Sequence, residues 1–219
     1  MAAPQSPAPA PQSLRIGVLA CQGDFAAHAR MLATLGAEPV EIRLPADFDR
    51  LDGLILPGGE STTIAKAIER DGLAEPIEAL VASGRPLLGT CAGMILCDRD
   101  HLGLLDARAR RNAFGRQLQS FEVDLHVAGI GLEPLRAVFI RAPWIEEWGA
   151  GVEVLSEHDG HPVAVRDGPV LACSFHPELT DDSRLHAVLM AIATGARELR
   201  AGGDGRTDRS QEENKEMAG

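Results

Sequence analysis

Tyrosine is absent from the 219 residues, and aromatic side chains together make up 4% of the chain. Single-stranded nucleic acid is bound by stacking its bases on aromatic rings, so a surface of that kind is not expected. Lysine is nearly missing as well: Lys66 and Lys215 are the only two, and arginine carries almost all of the positive charge. The formal net charge is −11. Neutralising phosphates takes clustered Lys and Arg, so this balance weighs against any nucleic-acid partner. No apolar run is long enough to span a membrane, and Met1 to Ser13 lack both the basic start and the apolar stretch of a signal peptide. Cysteine is scarce too. Cys21, Cys91, Cys97 and Cys173 show no metal-ligand spacing, and a reduced, cytoplasmic setting is the simpler expectation.

What the chain does have is 45% hydrophobic residues, enough for one sizeable α/β domain. Its most telling stretch is Gly89-Thr90-Cys91-Ala92-Gly93, which follows the apolar Pro86-Leu87-Leu88 and precedes the helix-compatible Ala92 to Leu96. Small residues two positions to either side of a central nucleophile are what a sharp strand-to-helix turn requires. Such a turn lifts Cys91 out of the sheet edge and sets it at a helix N-terminus, where a thiolate is favoured. The alternative is a buried structural cysteine in a tight loop.

Around this turn the pattern alternates. A strand is expected over Leu14 to Cys21, a helix from Asp24 to Leu35, strands over Pro39 to Leu44 and Leu51 to Leu56, and then Pro57-Gly58-Gly59-Glu60-Ser61. Ser61 or Thr62 is expected to cap the helix that runs on through Glu69, and a further helix covers Glu75 to Ala82. This alternation predicts a doubly wound, mostly parallel sheet with its ligand at the carboxyl ends of the strands. After Leu96 come short extended runs, over Leu104 to Arg110, Phe121 to Val127, Arg136 to Ile140, Val152 to Glu157, Pro162 to Val165 and Val170 to Phe175. They predict a small antiparallel extension and a return to the main sheet. Asp181 to Ala193 is expected to close the domain as an amphipathic helix. Residues 1–13 and 199–219 are expected to be disordered tails flanking a domain over 14–198.

A cysteine nucleophile needs a base and a group to orient that base. His176-Pro177-Glu178 lies just past the apolar strand Val170 to Phe175, so it is expected at the same sheet edge as Cys91 and Gly58-Gly59. The remaining histidines, His28, His101, His126, His158, His161 and His186, are read as surface or helix residues.

With these pieces in place the chain resembles the triad class of glutamine amidotransferases and, within it, the glutaminase subunits of pyridoxal 5'-phosphate synthase. The resemblance runs from about Ile16 to Met190. It is carried by Ile-Gly-Val-Leu-Ala-Cys-Gln-Gly at 16–23, Leu-Pro-Gly-Gly-Glu-Ser-Thr-Thr at 56–63, Gly-Thr-Cys-Ala-Gly at 89–93, Arg-Asn-Ala-Phe-Gly-Arg-Gln at 111–117, Phe-Ile-Arg-Ala-Pro at 139–143 and Ser-Phe-His-Pro-Glu-Leu-Thr at 174–180. It implies a flavodoxin-like three-layer sandwich of the class I glutamine amidotransferase type. It also implies hydrolysis of L-glutamine without a metal or organic cofactor, the ammonia passing to a barrel-shaped synthase subunit. Cys91 would be the nucleophile, His176 the base and then acid, and Glu178 the orienting carboxylate. Gly59, Glu60 and Ser61, Arg111, and Ile140 with Arg141 would hold the glutamine, while Gly59 and Ala92 would supply oxyanion donors.

Two departures stand out. Cys21 occupies a place where the family usually has an apolar residue, and the run from Met94 to His101 is short, so the helix behind the nucleophile is expected to be trimmed. Other readings are a glutaminase serving a different biosynthetic partner, a non-catalytic regulatory subunit on the same fold, and a peptidase or chaperone-like relative. Some members of the last group place histidine directly after the cysteine, where this chain has Ala92.

Overall fold

The computed structural model describes residues 13–114 and 120–207, with side chains described through residue 200. The expected N-terminal tail up to residue 12, the last three residues of the 111–117 motif and everything after residue 207 lie outside the described residues.

The chain opens with β1 (Arg15–Leu19), α1 (Phe25–Thr34), β2 (Glu38–Ile42), β3 (Gly53–Leu56), α2 (Ser61–Arg70), α3 (Ala74–Ala82), β4 (Leu87–Thr90) and α4 (Ala92–Cys97). It continues through β5 (Ala107–Arg110), β6 (Ser120–Leu125), β7 (Leu135–Ile140), β8 (Trp144–Trp148), β9 (Glu153–His158), β10 (His161–Asp167), β11 (Val170–Cys173) and α5 (Arg184–Thr207). The main sheet has seven strands in the order β2-β1-β3-β4-β11-β10-β9. Its first four neighbour pairs are parallel, and β10 and β9 extend it antiparallel. The pairs β5-β8 and β6-β7 form two small antiparallel ribbons.

Alternation along the parallel strands sorts their side chains into two cores. Leu19, Leu54, Leu56, Leu87 and Ala172 pack with Ile64 and Ile68 of α2 and Ile77 and Leu80 of α3. Ile16, Val18, Ile55, Leu88 and Leu171 pack instead with Leu32 of α1 and Leu189 and Ala193 of α5. Helices on both faces make the three layers, and burial on both faces is why these strands read as unbroken apolar runs. A third cluster joins β6, β7 and β11 through Leu125, Leu135, Phe139 and Cys173, with Phe175 just past β11.

Three expectations change. Strand β8 does not stand out in the sequence, because Trp-Ile-Glu-Glu-Trp lacks a clean alternation. Helix α5 runs well past Ala193. There Arg197 and Arg200 pair with the carboxylate of Asp52, which also accepts from the N–H of Arg15, so a charged contact rather than an apolar stripe ties this turn to the sheet. The N-cap of α2 is neither Ser61 nor Thr62 but Glu60, whose carboxylate accepts from the N–H groups of Thr62 at 3.1 Å and Thr63 at 2.7 Å.

Candidate active site

Because β1, β3, β4 and β11 are parallel, their carboxyl ends lie along one edge of the sheet, and each contributes to one cavity of about 400 Å³. That volume is in the range of small-molecule sites. Cys91 sits between β4 and α4 with φ 48° and ψ −102°, a conformation that a non-glycine residue rarely adopts. Its backbone N–H donates to the carbonyl of Cys173 in β11 at 2.8 Å, which holds the turn against the neighbouring strand. The turn is also compressed against β3. A Cβ on Gly93 would lie 2.0 Å from the carbonyl oxygen of Leu56, so the elbow closes only with glycine there. Helix α4 has six residues, short as the sequence leads one to expect, and all six are buried.

His176 follows β11, and its backbone N–H donates to the carbonyl of Val138 in β7 at 2.9 Å. Pro177–Leu179 then forms a single 3-10 turn that brings Glu178 back beneath the imidazole. Nδ1 of His176 and Oε1 of Glu178 are 2.8 Å apart, and the imidazole lines the cavity together with Cys91. With Nδ1 taken by the carboxylate, Nε2 is left for the thiol. Burial lowers the pKa of His176, but the hydrogen bonds to Cys91 and Glu178 outweigh it and lift the group from 6.5 to about 10. The imidazole is packed edge-on against the glycine loop: a Cβ on Gly58 would lie 2.4 Å from its Cε1.

The expected binding residues gather around this pair. Gly59, Glu60, Ser61 and Arg111 line the cavity with Cys91 and Ala92. Ile140 and Arg141 line it as well, and the carbonyl of Ile140 lies 3.8 Å from Sγ of Cys91. Ala92 is the first residue of α4, where backbone N–H groups have no intrahelical partner. Gly59 has φ 149°, in the region that favours glycine. At the rim, Arg111 donates to Oε1 of Glu60 at 3.3 Å and to Oγ1 of Thr62 at 3.2 Å. The hydroxyl of Thr63 and the N–H groups of Thr63 and Thr62 hold the Glu60 carboxyl down to about 2, so it is charged throughout the neutral range. The turn that carries Arg111 is anchored by Phe114, whose ring meets those of Phe121, Phe139 and Trp144 edge-on at 5.1 to 5.5 Å.

Sequence reasoning passed over two contributors. Gln22, just past the end of β1, lines the cavity, and its Oε1 accepts from the N–H of Glu60 at 3.0 Å. Its place at a strand's carboxyl end was the available signal. His28 and His186 are on helices as expected, but both are fully buried, and His28 lies directly behind Glu178. Nothing in their local sequence announces this, since the contact joins residues far apart in the chain. Among the described residues no group of His, Cys, Asp and Glu is placed to hold a metal, and no helix is long and apolar enough to cross a membrane.

Known proteins share the fold of this chain. A solved structure described as a glutamine amidotransferase superimposes with a TM-score of 0.76 at 46% identity, covering 82% of this chain and 98% of that one. A putative GMP synthase component from Thermoplasma acidophilum, at 18% identity and TM-score 0.69, shares the fold over 88% of this chain and 100% of that one. The pyridoxal 5'-phosphate synthase subunit PdxT of Frankia alni is 52% identical over 201 residues, 88% of this chain and 98% of the relative. The PdxT of Niallia circulans is 50% identical over 191 residues, 84% of this chain and 100% of the relative. The family model of the SNO glutamine amidotransferases matches residues 18–193, and on this breadth of agreement the chain belongs to that family.

Proposed function

We propose that this chain is the glutaminase subunit of a pyridoxal 5'-phosphate synthase, hydrolysing L-glutamine to L-glutamate and ammonia and passing the ammonia to a barrel-shaped synthase partner. The observation that carries this reading is the meeting of Cys91 with the His176–Glu178 pair at the floor of a cavity whose rim holds opposite charges, Arg111 and Glu60. A free amino acid has an ammonium and a carboxylate at one end and, in glutamine, an amide at the other. The rim suits the first end and the thiol the second, with Ser61, Ile140 and Arg141 completing the wall.

In the reaction, Sγ of Cys91, its proton carried by Nε2 of His176, attacks the side-chain amide carbon. The tetrahedral oxyanion is stabilised by the N–H groups of Ala92 and Gly59. His176 then delivers its proton to the departing nitrogen, ammonia leaves, and the thioester remains on Cys91. Water, activated by the same imidazole, releases glutamate and restores the thiol. Glu178 keeps Nδ1 protonated and supports the positive charge on the ring while it carries the proton. The working domain is 14–198, the setting is the cytoplasm, and no metal or organic cofactor takes part in these steps. The test is ammonia release from glutamine, measured for the chain alone and with a synthase subunit in excess. Turnover that requires Cys91 and supports pyridoxal phosphate formation in the mixture is expected. Ammonia release without any gain in product formation would point to a different biosynthetic partner.

A further inference from the structure

The carboxylate of Glu178 is held on one side only by the hydrogen bonds described so far. Oε1 meets His176, but Oε2 is buried and has no hydrogen bond of ordinary geometry. An acceptor-only charged oxygen in that position is costly unless a donor faces it. What faces it is the imidazole of His28, from α1, with Nε2 3.3 Å away. The same Nε2 lies 3.3 Å from Oγ1 of Thr90, the residue before the nucleophile. On the far side, Nδ1 of His28 is 2.8 Å from Nε2 of His186 in α5. Both histidines are fully buried.

Proton counting allows one arrangement that serves the carboxylate. If His28 carries its proton on Nε2, it offers a donor to Oε2 and Thr90, and its bare Nδ1 accepts from Nε2–H of His186. The one group left over is Nδ1 of His186, a bare acceptor with no hydrogen-bond partner. The opposite tautomers would press a lone pair against the carboxylate and leave the Nδ1–H of His186 as an orphaned buried donor. Burial, with the positive charge of His176 adding to it, holds His28 well below 6.5, and burial brings His186 down to about 4, so both rings stay neutral.

We propose that His28 is a positioning residue for the candidate triad: its Nε2–H holds the second oxygen of Glu178, and His186 fixes the tautomer that makes this possible. A single hydrogen bond to His176 leaves the carboxylate free to turn about its axis, whereas a second donor on the other oxygen fixes its plane. A neutral donor does this without cancelling the negative charge that the protonated His176 needs. An arginine or lysine there would hold the carboxylate equally well and take that charge away.

This inference rests on reading Cys91, His176 and Glu178 as the triad, and two measurements separate it from that reading. In wild-type protein labelled with 15N-histidine, the ring nitrogens of His28 are expected to show Nε2 protonated and Nδ1 bare across the neutral range, and His186 the same. A proton on Nδ1 of His28 overturns the proposal whatever the activity. The second measurement is glutamine turnover with the synthase subunit present. His28→Leu should lower kcat by roughly 10- to 100-fold, the usual scale for removing a residue that orients a functional group, with KM little changed. His28→Gln, whose amide can donate from near the position of Nε2, should recover most of the loss. Full kcat in a folded Leu variant, or equal impairment of folded Gln and Leu variants, contradicts the proposal. Should the Leu variant not fold, the tautomers and the Gln variant decide. Failure of the triad itself reads differently, since His176→Asn would then keep its turnover.

Discussion

Cys91 differs from the other cysteines in what surrounds it. Cys97 and Cys173 are fully buried, and burial pushes both thiols well above their ordinary value, with the charges of Asp98 and Glu178 respectively acting the same way. Cys91 faces the cavity beside an imidazole. Replacing His176 by Asn removes the proton carrier, so turnover should fall as far as in Cys91→Ala, while Glu178→Gln keeps a polar partner and should lose less; steady-state ammonia release on the three variants checks the order. Gly58→Ala is a sharper probe, because the new methyl would overlap Cε1 of His176 and displace the ring from the thiol. Loss of turnover is expected there, and near-normal kcat would contradict the placement of the imidazole. Cys91, His176 and Glu178 were legible in the sequence because each sits in a short motif whose spacing has a mechanical meaning. His28 and Gln22 were not, because their significance comes from contacts to residues 150 and 38 positions away, and Glu60 was passed over as a cap because sequence rules favour Ser and Thr there.

At the scale of elements, the site depends on how closely α4 packs on β3. Gly93→Ala would bring a methyl against the backbone oxygen of Leu56, which no side-chain rotation can relieve. Overpacking of this kind costs about 1–3 kcal/mol, so a lowered denaturation midpoint is expected together with lost activity. The loop from Gly58 to Ser61 offers the opposite property, since the glycine at 59 adopts a backbone angle that favours it, and its peptide can rotate at little cost. Loss of one oxyanion donor costs about 2.7–4 kcal/mol, a factor of roughly a hundred to a thousand in rate. A flipped peptide at Gly58-Gly59 would therefore suffice to keep the enzyme slow until the synthase docks, with Glu60 and Ser61 next to the moving bond. Ammonia release at saturating glutamine should rise once the synthase partner is added, and equal rates with and without it would discard this control. The parallel strands and their helices were legible from apolar runs and glycine stops. Strand β8 and the last turns of α5 were not, because β8 carries adjacent glutamates and α5 is tied down by Arg197 and Arg200 on Asp52 instead of by an apolar stripe.

For the whole molecule, the buried histidines set how stability follows pH. The folded chain binds a proton at His176 between 6.5 and about 10 that the unfolded chain does not, so this stabilisation is complete below 6.5 and is lost as pH rises towards 10. His186 behaves oppositely. Between 6.5 and about 4 the unfolded chain takes up a proton that the buried ring refuses, and stability falls with falling pH. His28, also depressed by burial, adds to the acid side. Denaturant unfolding across this range should show a maximum near the ordinary imidazole value, and His186→Leu should flatten the acid limb relative to wild type. A wild-type stability that climbs steadily from neutral to alkaline pH would contradict the charge assigned to His176. The central claim, that Cys91 is the nucleophile of a glutaminase, has a more direct test. The chain, with its synthase partner, is treated with a glutamine-analogue electrophile, and the labelled peptide is mapped by mass spectrometry while ammonia release is followed. Label on Cys91 in proportion to lost turnover, blocked by glutamine, is the expected result; label on Cys21, Cys97 or Cys173 with Cys91 untouched, or full turnover with Cys91 modified, would contradict it.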